Sequence, residues 1–262
     1  VSRNAGISKI VEQAHQIALS GVKEIVLTGI NIGDFGKSTG ESFFDLIKDL
    51  DTVEGIERYR ISSIEPNLLT QEIIQFVASS RAFMPHFHIP LQSGCNEVLQ
   101  LMRRRYNTQL FADKITEIKN IIPHACIGVD VIVGTPGETA DFFTKTYEFI
   151  KSLPISYLHV FSYSERENTD ALLIEPKVPE NIRHDRSVVL HELSEILQQN
   201  FYSQFHGQTM PVLFETRQKN GTQVGFTPNY IKVQAKLSEL CRNKIRELVL
   251  NYTNGEVIGK EL

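Results

Sequence analysis

Residues 127–138, IGVDVIVGTPGE, decide how the chain reads. Seven residues, apolar apart from Gly128 and Asp130, make a candidate strand. Directly after it come the turn formers Gly134-Thr135-Pro136-Gly137 and then Glu138, and an amphipathic stretch follows over 139–153. The same strand, polar loop and helix pattern recurs in both directions. Further candidate strands are KEIVLTG (23–29), RYRISSI (58–64), HFHIPL (86–91) and YLHVFSY (157–163). Between them lie helical patterns at 7–20, 43–51, 70–80, 96–104 and 108–121. Ser8 with Glu12 in the next turn, Thr70 before Gln71-Glu72, and Thr108 read as helix caps.

This βα alternation predicts a parallel sheet with helices outside it. Five strands at near-regular spacing favour an open or closed (β/α) barrel over a doubly wound sheet. Small and polar residues follow every apolar run: Thr28-Gly29-Ile30-Asn31, Ser62-Ser63-Ile64-Glu65-Pro66, Gln92-Ser93-Gly94, Gly134 to Glu138, and Ser162-Tyr163-Ser164-Glu165-Arg166. Loops at that end of the strands build the active sites of such barrels.

From about Pro176 the character changes. A long amphipathic helix over 181–205 sets Leu190, Leu193, Ile196, Leu197, Phe201 and Phe205 on one side. After Gly207 come short strand-like runs, with a hairpin signal at Lys219-Asn220-Gly221. Several short strands in so few residues predict a small barrel of the oligonucleotide-binding type. The expected domains are therefore 1–205 and 206–262.

Composition is that of an ordinary globular protein, with 41% hydrophobic and 22% charged residues. No apolar run reaches the ~18–20 residues of a membrane span, so no membrane partner and a cytoplasmic location are expected. The net charge of −4 does not advertise a nucleic-acid binder, but from His206 onward 8 Lys/Arg stand against 5 Asp/Glu. A mildly basic tail on an acidic body suits an RNA-contacting appendix, or is chance. Cys95, Cys126 and Cys241 lie far apart, without the short spacing of a zinc or iron–sulfur site, and read as small buried residues.

Six blocks in order, KEIVLTGINIGDFG, RYRISSIEPNLLT, HFHIPLQSG, LMRRRYN, IGVDVIVGTPGET and LHVFSYSER, resemble the radical S-adenosylmethionine tRNA methylthiotransferases. The likeness runs from Ser2 to the C-terminus and is greatest to the branch acting on N6-threonylcarbamoyladenosine, chiefly through Asn31-Ile32-Gly33-Asp34 and Ser63-Ile64-Glu65-Pro66. It implies about five of the six strands of a partial (β/α) radical S-adenosylmethionine barrel, followed by a small all-β TRAM barrel. It implies S-adenosylmethionine and 4Fe–4S clusters as cofactors, tRNA at its anticodon loop as partner, and a monomer. In the family a CxxxCxxC loop precedes a sequence like Ser2-Arg3-Asn4. The chain is therefore expected to begin downstream of that loop, to lack the family's N-terminal domain, and to be inactive alone.

The resemblance assigns cofactor contacts to Thr28, Gly29 and Asn31 after the first strand, and to Ser63 and Glu65 after the second. Gly29 otherwise makes a tight turn, and Glu65 otherwise caps a helix. Gln92 and Ser93 are expected at the barrel mouth, Asp130 inside the barrel, and Val133-Gly134 against adenine. Arg103 and Arg105, in a basic run with Arg104, grip a carboxylate or the tRNA backbone, or form a solvated helix end. Phe161 and Tyr163 are expected near the substrate base. In the tail, Phe226, Tyr230 and Lys232 offer stacking and phosphate contact, or serve the barrel core. His86 and His88 share one strand face, a spacing able to hold a metal. With no carboxylate or third ligand evident, no metal is expected there.

Two other readings stand beside the enzyme. One is a non-catalytic RNA-binding module whose barrel merely presents the TRAM domain. The other is a cluster-free aldolase-like barrel, which needs a Lys or a metal triad at the strand ends; the sequence displays neither.

Overall fold

The computed structural model of the protein describes residues 4–29, 31–217 and 221–262. Strands β1 (Glu24–Leu27), β2 (Arg58–Ile61), β3 (His86–Gln92), β4 (Cys126–Val133) and β5 (Tyr157–Ser162) run parallel in chain order. β1 pairs with β2, and β3, β4 and β5 pair in succession. The bridges Tyr59–Phe83 and Ser63–His88 join β2 to β3. The result is an open, partial (β/α) barrel with the five expected strands.

Side-chain alternation explains its two faces. Tyr59, Ile61, Phe87, Ile89, Leu91, Ile127, Val129 and Val131 are buried in one core. Residues of α2 (Phe43–Asp51), α3 (Gln71–Ser79) and α5 (Thr108–Ile121) share that core, and α1 (Ile7–Leu19) and α6 (Ala140–Lys151) contribute Ala14 and Ile150. The alternate positions, Glu24, Arg58, Arg60, His86, His88, Asp130 and His159, are polar and line the inner face. Thr70 caps α3 as expected, accepting the Ile73 N–H. Asn107, not Thr108, caps α5 through the Leu110 N–H. Ser8 caps nothing: α1 starts after Gly6, and Glu41 on a distant loop accepts the Ile7 N–H at 2.9 Å. α4 is short, Asn96–Leu101, because Arg103 turns left-handed at φ 55°.

Helix α7 (Glu180–Ser203) follows β5, where Ser194 Oγ accepts from Leu158 N–H at 2.9 Å. Ile196 departs from its expected place and is 54% exposed, while Leu190, Leu193 and Leu197 are buried. The end of α7 delivers Phe201, Tyr202 and Phe205 into a second core. Around it β6 (Thr209–Arg217), β7 (Gln223–Phe226), β8 (Lys232–Ala235), β9 (Ile245–Thr253) and β10 (Glu256–Lys260) close into a barrel in the order β10-β8-β7-β6-β9. β6 and β7 are antiparallel neighbours; Lys219 and Asn220 of the expected hairpin turn lie outside the described residues, as do the opening residues 1–3 and Ile30.

The second barrel docks at the N-terminal ends of the parallel strands, opposite the polar loops. Arg58 donates to Phe226 O at 2.7 Å and Pro211 O at 3.0 Å. Burial, reinforced by neighbouring Arg60, pushes the Arg58 guanidinium down to about 10. Asn229 donates to His124 O at 3.2 Å, before β4, and Asn243 donates to Gly21 O at 2.8 Å, before β1.

Candidate functional site

The loops at the C-terminal strand ends lock onto one another. A Cβ on Gly33 would lie 2.5 Å from Leu68 Cβ, so glycine there lets the first loop pack on the second. Glu65, after β2, pairs with Arg104 at 3.4 Å. The Tyr106 hydroxyl donates to Pro90 O at 2.9 Å and Leu91 O at 3.2 Å, beside the bulge that places Gln92 at φ 68°. Glu138 accepts the Gly134 N–H at 3.0 Å and pairs with Arg186 of α7. Burial raises the Glu138 carboxyl above its ordinary range, against the opposing pull of that N–H and of Arg186.

These same loops hold buried polar atoms without a partner: Asn31 Oδ1, Asn67 Oδ1, Arg104 Nε and Thr135 Oγ1. An unpaired buried polar group is costly, and four at one end of a sheet fit a polar ligand laid across the mouth. Asn31 belongs to this set, with its amide donating to Asp34 at 2.8 Å. Asn67 was missed by sequence reasoning, and Arg104 and Thr135 lay in the flagged Arg103–Arg105 run and Val133–Thr135 turn without being singled out there, because nothing local distinguishes an orphaned polar group from a solvated one.

The other predicted residues separate into groups. Thr28 and Gly29 are exposed, and a Cβ on Gly29 would make only ordinary contact with Ile32, so no close approach within the protein demands glycine. Ser63 bridges to β3 through its backbone. Ser93 does not face the mouth: it is fully buried, its hydroxyl 3.1 Å from Thr146 of α6. Val133 is likewise turned into the helix-covered core, and Gly134 packs where a Cβ would meet Arg183 at 2.3 Å. Arg103 and Arg105 are exposed, and Arg103 pairs with Asp170 at 2.9 Å; Arg104, between them, is the one that turns inward. Phe226 and Tyr230 belong to the junction rather than to a free face. The Tyr230 ring stacks 4.4 Å from His86 and 4.8 Å from Phe226. Lys232 is exposed on β8.

On the inner face the structure corrects the histidine reading. His86 lies under the second barrel, its Nε2 3.1 Å from the Tyr157 hydroxyl. His88 instead meets a carboxylate and a second imidazole: its Nε2 is 2.7 Å from Asp130 Oδ1, and His159 Nδ1 is 3.9 Å from the same oxygen. Asp130 is thus inside the half-barrel as expected, and the carboxylate and third group that the sequence did not display are present. Above them Phe161, half-exposed, and Tyr163 line a cavity of about 420 Å³ with Ile132, Arg166 and Thr169. A larger hollow of about 880 Å³ lies on the other side of the β5 end, between Tyr163, Glu165 and the start of α7.

The model of the Radical SAM superfamily matches residues 3–150, more than half of the chain. The chain belongs to the radical SAM superfamily. Similar proteins include the threonylcarbamoyladenosine tRNA methylthiotransferase MtaB of Bacillus subtilis, 38% identical over 98% of this chain and 59% of that protein. MtaB of Aquifex aeolicus is 37% identical over 94% and 59%. The tRNA-2-methylthio-N(6)-dimethylallyladenosine synthase of Clostridium tetani is 34% identical over 98% and 58%. The chain thus spans less than two thirds of the length of these relatives. Among solved structures, coproporphyrinogen III oxidase HemN of Escherichia coli shares the fold at a TM-score of 0.51 and 16% identity, over 74% of this chain and 46% of that one.

Superfamily membership implies S-adenosylmethionine and a 4Fe–4S cluster. The orphaned polar atoms at the mouth suit the amino acid and ribose groups of the first. The cysteines do not suit the second: Cys95, Cys126 and Cys241 are each buried, Cys241 within the core of the second barrel and Cys126, at the start of β4, packed against that core. A cluster needs converging thiolates, whereas these thiols have separate neighbours: Cys95 Sγ lies 3.0 Å from Glu97 Oε2, and Cys241 Sγ lies 3.5 Å from Arg246 Nε. Among the described residues no helix is long and apolar enough to cross a membrane.

Proposed function

We propose that the chain is the larger part of a tRNA methylthiotransferase that adds a methylthio group to C2 of N6-threonylcarbamoyladenosine beside the anticodon. The observation that carries this is 38% identity along 98% of the chain to a protein named for that activity. In this reading residues 1–205 are the radical S-adenosylmethionine domain and 206–262 a TRAM domain holding tRNA, with Lys232 on its exposed surface. The enzyme works as a monomer in the cytoplasm, where its tRNA is.

S-adenosylmethionine, when bound, supplies the methyl group and the radical chemistry. The chain's own residues orient it and the nucleoside. Asn31, Asn67, Thr135 and the Glu65–Arg104 pair offer hydrogen bonds at the mouth. Thr28, Gly29, Ser63 and Gln92 border the same loops. Arg103 and Arg105, exposed beside the mouth, face the tRNA backbone. Phe161 and Tyr163 give the adenine an apolar wall that excludes water. Cys95, Cys126 and Cys241, buried and apart, take no part in holding a cluster in this reading.

Nucleoside mass spectrometry of tRNA from a strain lacking the gene tests the proposal. The expected result is loss of 2-methylthio-N6-threonylcarbamoyladenosine. Loss of the dimethylallyl nucleoside instead would place the chain with its Clostridium tetani relative and refute the assignment.

A further inference from the structure

We propose that His88, Asp130 and His159 form a binding site for one divalent transition-metal cation of the zinc class on the inner face of the half-barrel. Three adjacent strands build it. The β4–β5 register sets Asp130 beside His159, and the β3–β4 register sets His88 beside Gly128, two residues from Asp130 on the same face. The three ligand atoms lie within 4.8 Å of one another. Bonds of about 2.0–2.2 Å to zinc require ligand atoms roughly 3–3.5 Å apart. The observed 2.7 and 3.9 Å straddle that span. Small side-chain rotations reach it, most freely at half-exposed His159.

A plain His88–Asp130 ion pair accounts for the shorter contact only. It leaves unexplained why His159 directs Nδ1 toward the same carboxylate oxygen, with its ring edge-on to His88 at a centroid distance of 4.9 Å. Two imidazoles and one carboxylate suit zinc, iron or cobalt, whereas magnesium and calcium prefer oxygen alone. Side-chain exposure rises from 13% at His88 and 18% at Asp130 to 50% at His159. The cation therefore enters from the lumen, and its remaining positions stay open to water or to an oxygen or nitrogen donor of a lumen ligand. His86 lies outside this group of converging ligand atoms, with its Nε2 facing Tyr157. The site does not depend on the methylthiotransferase reading.

Titration of the metal-free full chain with Co²⁺ tests it. The expected result is one equivalent bound, with visible absorption of nitrogen–oxygen coordination and no thiolate charge-transfer band. Asp130→Asn and His159→Gln each weaken binding about tenfold or more. Thiolate bands, absence of stoichiometric uptake, or undiminished uptake by both folded variants overturns the proposal. Should the variants not fold, acylation footprinting of the unaltered chain decides it. Zn²⁺ should protect His159 and leave exposed His184 and His191 reactive; equal reactivity of His159 with and without Zn²⁺ refutes the site.

Discussion

The guanidinium of Arg60 reaches out of the half-barrel into the second barrel, donating to Thr227 O at 2.9 Å and Pro228 O at 2.8 Å while its Nε holds Glu24 at 2.9 Å. Its side chain is 2% exposed, and the charge also lies 4.9 Å from the Tyr230 ring. One residue thus satisfies two carbonyls of the second barrel and one carboxylate of the first. Removing one partner from a buried charged network costs about 3–5 kcal/mol. Arg60→Gln is expected to split thermal unfolding, followed by calorimetry, into two transitions. A single transition at the original temperature would show that the junction does not rest on this charge.

Acid should weaken the same junction. Burial, with Arg60, His88 and His159 nearby, holds the His86 imidazole well below its ordinary 6.5. In the unfolded chain the ring takes up a proton near 6.5, and in the folded chain it stays neutral. Below that pH the unfolded state binds more protons, so stability is full above 6.5 and falls as pH drops below it. Urea denaturation between pH 7.5 and 5 measures this slope, and His86→Gln should flatten it. An equal slope in that variant would assign the effect elsewhere.

Tyr106→Phe removes the hydroxyl that donates to Pro90 O and Leu91 O at the β3 bulge, and Leu91 O keeps only the Ser93 N–H. Burial raises the Tyr106 phenol, which stays a neutral donor. The expected loss is about 1–2 kcal/mol in denaturant titration, with no change in the slope of the transition.

Thr135→Val should act in opposite directions on stability and binding. The Thr135 hydroxyl is buried without a partner, so an isosteric methyl relieves a penalty of about 1 kcal/mol in the ligand-free chain. If the hydroxyl serves bound S-adenosylmethionine, calorimetric titration of the same variant shows affinity lowered about tenfold. Unchanged affinity would remove Thr135 from the proposed site.

Phe161→Ala removes a half-exposed ring from the wall of the 420 Å³ cavity. Little stability should be lost. In the complete enzyme the rate of tRNA methylthiolation should drop while S-adenosylmethionine binding stays intact. Equal losses in both would mean that the ring supports the fold.

Helix periods, alternation and turn formers are local, and they placed α2, α5 and all five parallel strands within a few residues. A carboxylate interrupting an apolar strand also pointed to Asp130 as a residue of the barrel interior. The failures share one cause. Ser93 and Val133 are a polar and an apolar residue at strand ends, and only the packing of α6 and the sheet against them turns both away from the mouth. Tyr230 reads as a stacking platform, yet His86, 144 positions earlier in the chain, occupies its face. Arg58 and Arg60, two apart on one strand face, could have been flagged by the same alternation that paired His86 with His88.

The elements, their order and hence the half-barrel with its appended small barrel are written in the amino-acid sequence, because they follow from periodicity and short-range sterics. Which polar groups meet depends on the long-range packing of the folded chain. His88, Asp130 and His159 come from three strands and are neighbours through sheet register alone. The orphaned atoms of Asn31, Asn67, Arg104 and Thr135 come from four separate loop regions. Side-chain convergence depends on long-range pairing, and no local pattern records it.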